Sequence, residues 1–348
     1  MRRLSAVAMV LALAAAIIAV APSAAPPPER LDPAEWRLYQ SRFITADGRV
    51  VDTGNGGVSH SEGQGYGMLL AVAYDDAAEF ERLWRWTESR LQLRDDHLFA
   101  WRWRPDAPTG EEVADRNSAA DGDLLIAWAL ARAARRWQEP SYRAAARAIA
   151  EDLLAKLSLE AGGQRLLLPG PAGFVHDGVA TVNLSYWIFP AFRELAEVAP
   201  SPAWQQLDAT GITLLEAARF GRWQLPPDWL TLAQPPRPSR RFPPVFGYNA
   251  IRIPLHLVWG GIDDVDLLRP FVDYAAAHEP APPATLDLIS GEASAERLSA
   301  GGRAILTLVR SAASGEPASL PSLKGDEDYF AASLLLLTKL AHTERFAR

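Results

Sequence analysis

Apolar residues return at three-and-four spacing through most of this chain, and that rhythm constrains its fold more than any other feature. Side chains three and four apart share one face of a helix, so the pattern marks segments that bury a stripe. The clearest runs over residues 124–137, where Leu124, Ala127, Trp128, Ala131, Ala134 and Trp137 recur while Arg132, Arg135 and Arg136 take other faces. The same period predicts helices over residues 33–43, 65–74, 77–91, 141–157, 184–198, 202–220, 250–259, 265–278, 293–313 and 328–341, eleven with the first, and no long run alternates as a half-buried strand would. The connections are alternately short and long, which suggests paired helices stacked as a closed array, an all-α fold.

Breaks fall at residues 104–110, 159–178, 225–247 and 279–284. The third is rich in proline, yet Trp223, Trp229, Phe242, Phe246 and Tyr248 accompany those prolines. Flexible linkers seldom carry so many aromatics, so an ordered loop is expected, of the kind that tends to serve function. Residues 26–348 therefore read as a single domain.

Residues 1–25 carry Arg2 and Arg3, an apolar run from Leu4 to Val20, and small residues ending at Ala25, which reads as a secretory signal with cleavage preferred to retention as an anchor. A periplasmic or secreted protein is expected, with no membrane association after cleavage. The remaining 323 residues hold 33 basic against 42 acidic side chains, a formal charge of −9. An acidic balance without a basic run argues against a nucleic-acid partner. With no cysteine there is no disulfide framework and no thiolate chemistry.

Two carboxylates stand directly before strongly apolar helical runs. Glu62 lies in Ser59-His60-Ser61-Glu62-Gly63-Gln64-Gly65-Tyr66-Gly67-Met68, and Asp121 in Asn117-Ser118-Ala119-Ala120-Asp121-Gly122-Asp123. The glycines at 63, 65 and 67 imply that something lies close by, either a substrate or a tightly packed neighbouring helix. Asp121 also reads as a helix start, alongside Ser118 and Asp123. In a ring of helices such starts can converge at one end around a cleft. His60 is read as a structural hydrogen-bonder rather than a catalyst.

Aromatics collect in the loops at Phe99, Trp101, Trp103, Tyr186, Trp187, Trp223, Trp229 and Tyr248. A long saccharide site needs rings to stack on the C–H faces of sugars, with acids, amides and arginines to bond the hydroxyls. Trp128 and Trp137 read as core. Trp101 and Trp103 alternate as in a short strand, with one facing a cleft and the other packing. The six histidines show no metal-ligand spacing, and no nucleophile elbow, dinucleotide fingerprint or phosphate loop is present, so neither metal nor cofactor is expected.

These residues resemble glycoside hydrolase family 8, and within it the endoglucanases associated with bacterial cellulose synthesis. The segment 61–68 is similar to the family's acid-bearing segment, and 119–123 followed by Ile126-Ala127-Trp128-Ala129-Leu130 to its second signature. Phe99 to Trp103, Asn183-Leu184-Ser185-Tyr186, Pro227-Asp228-Trp229, Phe246-Gly247-Tyr248-Asn249-Ala250-Ile251-Arg252 and Asp328 to Leu334 follow in order over nearly all of residues 26–348.

The resemblance implies an (α/α)6 barrel whose long loops form a substrate cleft at one end, and hydrolysis of β-1,4-glucan with inversion. Glu62 would be the general acid, a carboxyl that must hold its proton before attack, and Asp121 the acid at the sugar-distorting subsite. Trp101, Tyr186, Tyr248, Asn249 and Arg252 would bind the glucan. A cellulose synthase complex is implied as a partner. Two departures stand out. Ala120 replaces a usual serine or threonine, and Asn249 sits where many members place the aspartate that activates water. Asparagine orients water but does not take its proton. Asp121 is the first substitute base, with Asp115, Asp177 and Asp228 behind it. Asn249 also motivates a rival reading, a non-catalytic glucan-binding or assembly protein. Chitosan, xylan and mixed-linkage glucan stay open as substrates.

Overall fold

The computed structural model describes residues 31–346, so the leader read at residues 1–25 lies outside the described residues. Eleven α-helices are present among them: α1 Pro33–Phe43, α2 Ser61–Ala73, α3 Ala77–Leu91, α4 Ala120–Trp137, α5 Pro140–Leu157, α6 Phe189–Val198, α7 Pro202–Ala217, α8 Ile253–Trp259, α9 Val265–Ala277, α10 Ala300–Ser314 and α11 Tyr329–Phe346. Most begin where the sequence places a cap. Asp32, Asp76, Glu139, Ser201, Asp264 and Ser299 each accept from a backbone N–H of the turn they open, and proline follows at 33, 140 and 202.

Helix α2 packs on α4, α4 on α6, α6 on α8, α8 on α10, α10 on α11 and α11 back on α2, so six helices close into a cycle of contacts. Against this cycle α3 packs on α2, α5 on α4, α7 on α6 and α9 on α10. One continuous hydrophobic core results. Trp128 of α4 meets Trp259 of α8 within it, with ring centroids 4.8 Å apart. Trp137 is only half-buried, packed on Phe80 and donating to Asp75.

Several boundaries differ from the sequence reading, among them α4, which starts at Ala120 rather than 124 and so takes Asp121 into its first turn; three others have a clear local reason. Helix α2 starts at Ser61 rather than at 65, so Glu62 lies inside its first turn. The expected helix over 184–198 is split into a 3-10 turn, Leu184–Tyr186, and α6, because Pro190 has no N–H to continue a helix and fixes a new first turn. Helix α10 starts at Ala300, since Ser299 caps it and Ala293 and Arg297 instead bridge to Leu286 and Pro283.

The loops also hold short antiparallel pairings that an all-α description omits. Ser59–His60 pairs with Arg102–Trp103, and Val245–Phe246 with Leu286–Asp287. Val175–His176, Val179–Val182, Leu230–Thr231 and Arg237–Pro238 form a four-stranded sheet. Strands of two to four residues are too short for alternation to register in sequence. The proline-rich loop is ordered by this sheet and by Trp229, whose ring stacks between Phe174 and Phe242 at 5.7 and 4.2 Å.

Candidate active site

The two acids meet because helices α2 and α4 touch at their N-terminal ends. A Cβ on Gly65 would lie 2.5 Å from Leu125 Cβ, and one on Gly122 would collide with the Ser61 side chain. The glycines therefore serve helix packing rather than substrate approach. Gly63 and Gly67, one turn apart on another face of α2, both lie against Val50, with Gly63 also facing the Tyr329 hydroxyl. Neither α2 nor α4 has a side-chain cap. Loop carbonyls serve in its place, with Ser61 N–H donating to Trp101 O and Ala120 N–H to Pro169 O at 3.1 and 2.9 Å. Glu62 is thereby released from capping, while Asp121 Oδ1 accepts from Gly122 N–H at 2.9 Å and Oδ2 stays free to face the site.

Both carboxylates converge on Arg252, in the 3-10 turn Ala250–Arg252 that leads into α8. Its Nη1 donates to Glu62 Oε2, to Asp121 Oδ2 at 3.1 Å and to Tyr66 Oη at 3.2 Å. The Glu62 side chain keeps 18% of its surface exposed while Asp121 keeps 3%, so Glu62 is the outer member. Burial and the charge of Glu62, opposed by Arg252, push the Asp121 carboxyl up to about 7. Burial works against the guanidinium charge, but Glu62, Tyr66, Asp121 and Tyr186 hold the Arg252 pKa well above its ordinary value. Asp121 therefore retains a proton readily near neutral pH. His256 on α8 stays neutral, pushed down to about 3 by burial and by Arg252.

The other end of the guanidinium fork fixes Asn249. Arg252 Nη2 and Asn183 Nδ2 both donate to Asn249 Oδ1, at 2.8 and 2.9 Å. Asn183 is oriented in turn because its own oxygen accepts from Ser185 N–H and Oγ–H. Asn249 Nδ2 then faces Asp228 Oδ2 at 3.5 Å. The other Asp228 oxygen accepts from Gly247 N–H and Ala250 N–H at 3.0 and 2.8 Å, which pins the turn carrying Asn249 and Arg252. Burial raises the Asp228 pKa against these bonds.

Tyr186 is half-buried, with Arg252 Cζ 5.9 Å from its ring centroid and Trp229 edge-on at 6.3 Å. Trp101 lies one strand away from the cluster, donating Nε1–H to Asp115 at 2.8 Å and covered on one face by Arg102. Trp103 packs inward against Trp86 and under Arg49. Tyr248 adjoins Asn249 in the chain, but its side chain is 47% exposed and turns to Glu296 and Phe330. Asp177 is exposed on a hairpin turn with φ 51°. His60 pairs with Asp52 at 3.3 Å.

Glu62, Asp121, Tyr186, Asn249 and Arg252 are thus assembled together, while Trp101 and Tyr248 flank the cluster without touching it. Tyr66 was missed in the sequence reading. Its position four residues after Glu62 puts both on one face of α2, and that spacing was the available signal. Among the described residues no group of His, Asp or Glu is placed to hold a metal ion, and no helix is long and apolar enough to cross a membrane.

The chain is similar to several known endoglucanases. A probable endoglucanase of Novacetimonas hansenii is 38% identical over 89% of this chain and 90% of its own length. The crystal structure of endoglucanase Cel10 of Klebsiella pneumoniae, a family 8 glycosyl hydrolase, superposes with a TM-score of 0.82 at 40% identity, covering 88% of this chain and 98% of that one. The endo-β-1,4-glucanase CMCax of Acetobacter xylinum gives 0.82 at 38% identity, with 90% and 98% covered. Residues 3–344 match the family of glycosyl hydrolases family 8 as a whole, and with an acid-bearing helix start, a second buried carboxyl and a shared arginine all in place, this chain belongs to that family.

Proposed function

We propose that this protein is an inverting endo-β-1,4-glucanase that hydrolyses internal bonds of cellulose-like glucan. The observation that carries the reading is the single Arg252 nitrogen bound to Glu62 and Asp121, with Glu62 as the more exposed carboxyl. In this reading Glu62 delivers a proton to the glycosidic oxygen as the bond to the anomeric carbon breaks. Asp121, buried beside it and raised to about 7, shapes the floor of the subsite. Tyr186, Asn249 and Arg252 bind the sugar at the point of cleavage, and Trp101 and Tyr248 bind the chain further out.

The cyclic packing of six helices supports an (α/α)6 barrel with its cleft at the end where α2 and α4 begin. We assign residues 26–348 to one catalytic domain, released to the periplasm or beyond by cleavage after residue 25, and place its activity beside a cellulose synthase complex. That placement rests on the resemblance of the ordered motifs. The test is Glu62→Gln assayed on soluble cellulose together with cello-oligosaccharide affinity. Hydrolysis is expected to vanish while binding persists, and retained turnover would remove Glu62 from the role.

A further inference from the structure

The reaction needs an acceptor for the proton of the attacking water, and the site offers an amide where that acceptor should stand. Two contacts through the two nitrogens of the Arg252 guanidinium hold Asn249 Oδ1 at most roughly 8 Å from Glu62, a limit compatible with the roughly 6.5–9.5 Å that an inverting pair spans. Asp121 sits elsewhere. It shares Nη1 with Glu62, which keeps their oxygens within roughly 6 Å, short of that range, and it is buried on the acid's own side of the cluster. Asp115 is committed to Trp101 and Asp177 lies out on its hairpin turn.

Asn249 itself has only donors to spare. Its oxygen is occupied by Asn183 and Arg252, so what it offers a water is Nδ2–H. A water held by that N–H uses a lone pair and keeps both of its own hydrogens, which then need an acceptor. One Nδ2–H already donates to Asp228 Oδ2 at 3.5 Å, so a water taken by the other Nδ2–H lies beside that carboxylate oxygen, whose remaining lone pair can accept from it. The opposite Asp228 oxygen is saturated by Gly247 and Ala250 N–H groups, which leaves Oδ2 as the oxygen with capacity. A Cβ on Gly247 would come 3.0 Å from Oδ2, so glycine there keeps the approach open.

We propose that Asp228 is the general base of this enzyme, acting on a water that Asn249 holds against it. The water oxygen bonds to the anomeric carbon and its proton passes to Asp228 Oδ2. The glycosidic C–O bond breaks, and its electron pair takes the proton from Glu62. Asp228 then returns its proton to solvent and Glu62 regains one. The division of labour separates the orienting amide from the accepting carboxylate, where a single aspartate at 249 would combine both. This inference rests on the inverting-glucanase reading given above.

The test is Asp228→Asn, which keeps an oxygen for Gly247 and Ala250 and so preserves the turn while deleting the base. On cellohexaose its kcat is expected to fall about 10²–10³-fold with KM within about threefold. Azide needs no deprotonation, so adding sodium azide should restore turnover and yield an α-glycosyl azide. The double variant Asp228→Asn/Asn249→Asp should recover at least tenfold of the loss. Asn249→Ala, which leaves the Asp228 anchor untouched, should lower kcat about tenfold or more. Wild-type kcat in Asp228→Asn or Asn249→Ala, or a loss that neither azide nor the second substitution repairs, would overturn the base assignment while leaving the glucanase reading to stand on Glu62. Absence of cellohexaose cleavage by the wild type would overturn both.

Discussion

Arg252 donates from one nitrogen to Glu62 and Asp121, and from the other to Asn249, so one buried side chain sets the spacing between the two halves of the site. A planar fork can do this and a point charge cannot. Arg252→Lys is therefore expected to keep the charge but lose the geometry, lowering kcat/KM on soluble cellulose about 10²-fold with an unchanged far-ultraviolet circular dichroism spectrum. Activity within about threefold of wild type would show that charge alone suffices.

Gly122 is where α4 presses on Ser61, and an added Cβ there meets that side chain rather than solvent. Gly122→Ala should cost about 1–3 kcal/mol in urea unfolding, the range for an overpacked contact. Because the same contact aligns Asp121 with Glu62, turnover should fall as well. A variant as stable and as active as wild type would mean that the two helices can part without consequence.

Asp123 offers a stability test apart from the chemistry. Its Oδ1 accepts from Phe99 N–H at 2.9 Å, while Oδ2 lies in the core beside Ser118 without a formed hydrogen bond. Burial pushes this carboxyl up to about 8. The folded protein thus keeps a proton that the unfolded chain releases near pH 4, so stability is greatest on the acid side and falls as pH rises towards 8. Asp123→Asn does not titrate and keeps the bond to Phe99. Relative to wild type it should gain a few kcal/mol between pH 4 and pH 9, read from urea midpoints at each pH. A difference that is flat with pH would contradict the raised value.

Much of this site was legible before any coordinates. Helical period located all eleven helices, because most bury a stripe against a neighbour and the rest are apolar on nearly every face. Glu62 and Asp121 stood out as acids opening apolar helices, and Asn249 as an amide in an acid's place. What the sequence could not give was contact between distant segments. Nothing local says that the glycines at 65 and 122 fit helix against helix, that Asp228 lies behind Asn249 across a proline-rich loop, or that Tyr248 turns away to Glu296. The short loop strands were invisible for a different reason, since two residues carry no period.

The stereochemistry of the first products tests the central claim most directly. Proton NMR of cellohexaose freshly mixed with the wild-type enzyme, with Glu62→Gln as control, reads the configuration of each new reducing end before mutarotation. An α-anomer excess from the wild type and no products from Glu62→Gln are expected. First-formed β anomers would contradict inversion and point to Asp121, within roughly 6 Å of Glu62, as a nucleophile in a retaining pair.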